Sequence, residues 1–268
     1  MPTSLLFKKL KRKRPDRAAA RALAPKEPRA ERARYVKRLL AFWAMWEGKV
    51  RAELGMRHDG SPLATALCGP LEIRRDARLF EAAFGQLFDD ARLDRFIASV
   101  GESIADKSEA YMRNIVRIKV PTPGRNAMVD GFTDRNVRLI KGLGTEQIEQ
   151  ITELVRRSTA AGLRANALAD EVAKVLDAGE SRIQLIARDQ TLKFYAATNQ
   201  ATQKAAGIES YVWVTSRDER VREEHAKLDG ETFRYDDPPD TGNGFNNPGE
   251  DIQCRCVATP IIPLFEGV

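Results

Sequence analysis

The sequence predicts an α+β protein: a mostly helical N-terminal two thirds, then a small antiparallel sheet plus one helix at the C-terminus. Three observations carry this. Up to about Gly207, apolar residues recur at three- and four-residue spacing, the mark of amphipathic helices. Beyond it, short β-branched and aromatic runs alternate with turn residues. No apolar run approaches the roughly 20 residues of a membrane span, and 268 residues are enough to bury a sizeable core.

The elements follow in order. Residues 1–30 place Pro15, Pro25 and Pro28 among charges and alanines, poor material for a packed element, and read as a basic, flexible arm. The opening MPTSLLFKKLKRKRP has its charges after a short apolar patch, the wrong order for a secretory signal. Residues 31–120 read as a helical region. It begins with RYVKRLLAFWAMWEGKVRAEL, in which Val36, Leu39, Leu40, Trp43, Trp46 and Val50 form a stripe that reads as core. A loop over Arg57–Pro70 with an exposed His58 follows, then helices near Arg74–Phe88 and Ala91–Arg117. The break PTPG (Pro121–Gly124) marks a boundary or hinge. Residues 125–268 then form the last region: FTDRNVRLIKGL, a helix capped by Thr145, RANALADEVAKVLD, and a helix starting at Ser181 and stopping at Gly207. Its end, 208–263, reads as an α+β module. Strands are expected at Tyr211–Thr215, Glu231–Tyr235 and Asp251–Ile262, and a helix opens on the capping box Ser216…Glu219 and ends at Gly230.

Charge is distributed unevenly. Residues 1–38 hold fourteen basic residues against three acids, a net of +11, which leaves −5 on the rest of a chain whose total is +6. Lys8, Lys9, Lys11, Arg12, Lys13, Arg14 and Arg17 are the candidate contacts to nucleic acid or an acidic surface. Without zinc-finger spacing or interleaved aromatics, such contacts would go to phosphates and not to bases.

Three cysteines, Cys68, Cys254 and Cys256, are too few for a disulfide framework and suit a reducing compartment. On a strand, Ile252, Cys254, Cys256 and Ala258 share one face and Arg255 the other. Two residues of extended chain span about 6.6 Å, so both thiols reach one metal ion poorly, and parallel Cβ vectors disfavour a disulfide. They read as buried structural thiols, with a metal site of His225, Cys254 and Cys256 or a redox pair as alternatives; no metal or cofactor is expected. His225 shares a helical stripe with Val221 and Leu228 and so faces inward. It reads as a core histidine bonded to backbone or to an acid such as Asp218; a catalytic base assisted by Asp218, Glu223 or Glu224 is the alternative. The acidic and asparagine-rich loop Asp236–Asp251 lacks EF-hand order, and no Gly-rich phosphate motif occurs.

Read together, Trp213, Asp218-Glu219-Arg220-Val221-Arg222, His225, Leu228-Asp229-Gly230, Pro248-Gly249 and Cys254-Arg255-Cys256 resemble the phage head morphogenesis family typified by protein F of bacteriophage Mu. The resemblance covers roughly Phe132–Ile262. It implies a minor head protein that sits in few copies near the portal, inside the procapsid, and aids capsid assembly, DNA packaging or DNA delivery. The implied partners are the portal protein, the inner capsid or scaffold, and DNA through the basic arm, with no membrane. The implied location is the host cytoplasm during assembly and then the interior of the virion head. Some relatives carry toxin domains after this module; with Val268 directly after the closing strand, none is expected here. An enzyme is not expected. The alternatives are a nuclease using His225 with Asp218 or Glu224, and a non-specific DNA-binding accessory protein.

Overall fold

The computed structural model describes residues 17–53, 91–161 and 165–262. Lys8, Lys9, Lys11, Arg12, Lys13, Arg14, His58, Cys68 and the helix expected near Arg74–Phe88 lie outside the described residues. The elements run α1 (Arg17–Ala22), α2 (Arg29–Glu53), α3 (Ala91–Val116), α4 (Arg125–Ala160), α5 (Ala165–Ala205), β1 (Ser210–Val214), α6 (Glu223–Leu228), β2 (Thr232–Arg234) and β3 (Val257–Pro260). Helices followed by a small antiparallel sheet give the α+β class that the sequence predicts. No helix among the described residues is long and apolar enough to cross a membrane.

The chain divides into two compact units that interleave along the sequence. One holds residues 33–97 and 133–187. Its core includes the aromatic stripe of α2, with Trp43 and Trp46 almost fully buried and their rings 4.3 Å apart. Tyr35 is buried with them and donates its hydroxyl to Asn136 Oδ1 at 2.8 Å. Gly179 on α5 lies so close to the Trp43 indole that a Cβ there would meet the ring at 2.2 Å.

Two expected helix starts are absent here. α4 passes through Gly142 and Gly144, and Thr145, expected to cap a new helix, sits inside it with its hydroxyl bonded to Lys141 O. α5 likewise passes through Ser181. The reason lies in the phase of the buried stripe. Ile140, Leu143, Gln147, Ile148, Ile151 and Val155 continue at three- and four-residue steps across the glycines, as do Val172, Leu176, Ile183 and Ala187 across the serine. Burying several such side chains, each worth roughly 1.5–3 kcal/mol, outweighs about 1 kcal/mol for a glycine inside a helix.

The other unit holds residues 1–32, 98–132 and 188–268. Within it, Phe132 stacks on Phe194 at 4.6 Å, and Ser108 bonds Thr198 at 2.7 Å in the buried interior. The PTPG segment separates two helices, with α3 stopping at Val116, Gly124 left-handed at φ +64° and α4 starting at Arg125, and residues 98–132 on both sides of it lie in this one unit. The sheet order is β2-β1-β3, antiparallel throughout, with Val212 opposite Thr232 on one side and Thr259 on the other. β1 is buried along its whole length. Its residues alternate between faces: Tyr211 and Trp213 pack with Tyr235, Cys254 and Cys256, while Val212 and Val214 pack with Ala20 and Ile261.

Ala20 brings a correction. Residues 17–22, expected to belong to an unpacked arm, form α1, and Ala20 and Ala24 pack on the sheet; Tyr111 also donates its hydroxyl to Leu23 O at 2.8 Å. Ala20 and Ala24 among the charges supply an apolar surface small enough to fit against the two valines. Arg17 opens α1.

Candidate functional site

Three local features of the second unit bring the motif residues together. The first is the connection after β1. The expected capping box does not form, because α6 begins only at Glu223 and has no side-chain cap. Asp218 organises this stretch instead of Ser216. It accepts the Arg220 N–H at 3.1 Å, forms an ion pair with Arg255, and its pKa falls, chiefly through that arginine. Asp218 thus pairs with arginine, and the carboxylate on His225 is Asp251 and not the Asp218 expected from the sequence.

The second feature is the turn after α6. Gly230 N–H donates to Trp213 O and Trp213 N–H to Glu231 O, each at 2.8 Å, which lays the Leu228-Asp229-Gly230 corner along β1. Asp229 accepts from the Thr215 N–H at 3.0 Å and from the Thr215 hydroxyl at 3.1 Å, and pairs with Arg217 and Arg21. Burial alone would push its carboxyl up, but these donors together hold it below the ordinary range.

The third is the approach to β3. The strand expected over Asp251–Ile262 is only Val257–Pro260; Asp251–Gln253 form a turn. Gln253 is left-handed at φ +59°, its N–H donates to Asp189 Oδ1 on α5 at 2.7 Å, and Cys254 N–H returns to Asp251 O at 3.1 Å. Ile252, expected to share the core face with the cysteines, is 64% exposed as a result. Upstream, Gly249 has φ +90°, and a Cβ on it would lie 2.5 Å from the Ala196 Cβ of α5. Only glycine allows both that backbone and that approach. Glu250 holds this turn by accepting the Asn247 N–H at 2.6 Å, and Tyr211 donates its hydroxyl to Asn247 Oδ1 at 3.0 Å.

His225 stands at the convergence of these features, 2% exposed. Its Nε2 is 3.0 Å from Asp251 Oδ2, whose other oxygen accepts from Asn246 at 3.3 Å. Its Nδ1 is 3.6 Å from Cys254 Sγ and 3.5 Å from Cys256 Sγ. Both cysteines are free and buried. The Trp213 ring meets the imidazole edge-on, with centroids 5.5 Å apart. The Cys254 sulfur raises the His225 pKa against the opposing effect of burial, and Asp251 adds to the rise. The two thiols move apart: hydrogen bonding from Cys256 lowers Cys254, and the same contact raises Cys256.

The remaining motif residues surround this cluster. Arg220, Arg222 and Arg255 line a cavity of about 110 Å³ together with Arg188, His225 and the cysteines. Pro248 and Gly249 line a cavity of about 310 Å³, which the cysteines also border. Glu224 points its side chain toward Gly242. Asp251 and Asp189 were missed from the sequence as site residues. Asp251 had been counted among the loop acids, and Asp189 offered no signal beyond its place on a helix.

Residues 149–259 match the family described as Phage Mu protein F like protein. A Haemophilus influenzae protein described as uncharacterized is 36% identical over 154 residues, 57% of this chain and 32% of its own length. The chain thus spans about a third of that relative. No solved structure matches. Trp213, His225, Cys254 and Cys256 all fall inside the segment 149–259 that matches the phage Mu protein F-like family.

Proposed function

We propose that the chain is a minor head protein of a tailed phage, acting in head morphogenesis by binding and not by turnover. It docks on the portal or inner shell of the procapsid, and the basic residues Lys8, Lys9, Lys11, Arg12, Lys13, Arg14 and Arg17 contact DNA phosphates or an acidic scaffold surface. It is made in the host cytoplasm and ends in the virion head. The Mu protein F-like match over 149–259 carries this reading.

Two features of the second unit support it. Both ring nitrogens of His225 face buried partners, Asp251 on one side and the two sulfurs on the other. This suits a structural role better than that of a base meeting substrate. Arg188, Arg220, Arg222 and Arg255 also line one cavity there, with Arg255 paired to Asp218. Such a cluster favours an anionic partner.

The test is co-sedimentation of the purified protein with portal rings and procapsids, together with particles made without it. Binding, and particles that fail to package or infect, are expected. No association together with normal particles would overturn the proposal. DNA or RNA cleavage that is lost in a folded His225→Ala variant would favour an enzyme instead.

A further inference from the structure

We infer that His225, Cys254 and Cys256 form a binding site for a zinc-class divalent ion, with His225 Nδ1 and the two thiolates as protein ligands. The donor atoms of these three residues all lie within 4.8 Å of one another, and all three side chains are buried. Their spacing is the decisive observation. Zinc holds sulfur at about 2.3 Å and imidazole nitrogen at about 2.0–2.1 Å, so a tetrahedral angle puts nitrogen and sulfur about 3.6 Å apart. The two observed separations are 3.6 and 3.5 Å.

Hydrogen bonding alone accounts for the arrangement less well. With the imidazole neutral and its Nε2–H given to the Asp251 carboxylate, Nδ1 offers a single lone pair. One S–H can donate to that lone pair; the second sulfur at the same distance cannot. A single cation placed between them uses all three donors. It also balances two thiolates that burial would otherwise penalise. Asp251 then fills the second-shell position that carboxylates commonly occupy behind a metal-bound histidine, fixing its tautomer and ring orientation. Thiolate donors select zinc over magnesium or calcium.

The turn at Gln253 makes this possible. The left-handed Gln253 and its bond to Asp189 fix the turn just before the cysteines, and residues 254–256 are irregular rather than strand; both sulfurs come within 3.6 Å of the same nitrogen. With three protein ligands, the fourth position falls to a water or an anion, and the cavity of about 110 Å³ that these three residues line has room for one. The ion would fasten the turn before β3 to α6 across the Trp213 face of the sheet.

The test uses the full chain, reduced and purified without a chelating resin. Elemental analysis should find one zinc per chain. After exchange, cobalt(II) should give a thiolate-to-cobalt charge-transfer band in the near ultraviolet and the strong visible bands of a tetrahedral site. Cys254→Ser and Cys256→Ser should each weaken the charge-transfer band, with far-ultraviolet circular dichroism reporting whether they fold. Asp251→Asn should keep the spectrum while binding the ion about 10- to 100-fold more weakly. A folded wild-type chain that carries no zinc and gives no charge-transfer band with excess cobalt overturns the inference. So does a cobalt spectrum that folded cysteine variants leave unchanged.

Discussion

Along β1, Val212 and Val214 turn to one side and Tyr211 and Trp213 to the other, and the two sides are covered by different kinds of chemistry. The valine side meets Ala20 of α1 and Ile261, with Ala24 and Val257 at its edge. Nothing in that group carries a polar side-chain atom, so any set of side chains of similar volume would serve. The aromatic side meets Tyr235, Cys254 and Cys256. There Tyr211 bonds Asn247, and Tyr235 bonds Gln203 at 2.7 Å, which in turn donates to Ala258 O at 3.2 Å. Buried polar groups need partners, and a network of them is satisfied as a whole or becomes costly. The comparison teaches where identity resides in this module: the valine face asks for volume, and the aromatic face asks for particular atoms.

The comparison can be broken by mutation. The largest effect is expected from Trp213→Ala, which removes a fully buried indole from the aromatic face and should cost about 3–5 kcal/mol in urea denaturation. A loss under about 1 kcal/mol would mean that this face is no more demanding than the other. Val212→Ala removes two methyl groups from the valine face and should cost about 2 kcal/mol; Val212→Ile should be tolerated within about 1.5 kcal/mol, because only volume is at stake there.

Asp229→Asn should have a smaller effect, about 1.5 kcal/mol near neutral pH, by weakening the charge-assisted bonds to Thr215 and to Arg21 on α1, which covers the valine face. Its pH dependence has a definite sign. The folded-state pKa is held low, so the stabilisation is fully present above the unfolded value of about 3.9 and is lost as pH falls through the folded value. The difference between wild type and Asp229→Asn should therefore shrink on acidification below about pH 4, as measured by denaturation midpoints. A difference that grew toward acid would refute the assignment.

Much of this fold was readable along the chain. The runs YVWVT and ETFRY were expected as strands over Tyr211–Thr215 and Glu231–Tyr235, and the structure forms Ser210–Val214 and Thr232–Arg234. Of the stripe expected as core, Leu39, Trp43, Trp46 and Val50 are buried, while Val36 and Leu40 are half-buried. Gly207 and Gly230 were expected as helix stops, and both are left-handed. Local signals failed where they competed with packing. Thr145 and Ser181 look like helix starts, but an unbroken buried stripe runs past each of them. The capping box at Ser216 loses to Asp218, which is held by an arginine 37 residues away.

The candidate site divides the same way. The sequence pointed to His225, Cys254 and Cys256 facing inward, and all three are buried, but not for the periodicity it used: Val221 precedes α6, both cysteines precede β3, and Ile252 of the same expected face is exposed. It also carried the family resemblance, because that rests on residue order and spacing. Which acid holds the histidine, and whether the two thiols meet at one nitrogen, only the tertiary structure decided. Asp251 lies 26 residues from His225, and Asp189 lies 64 residues from the Gln253 backbone it holds. Periodicity does not reach over such separations. The strand expected through the cysteines is instead a turn at Asp251–Gln253, held from a distant helix, followed by irregular chain at 254–256, and the two sulfurs meet at one nitrogen.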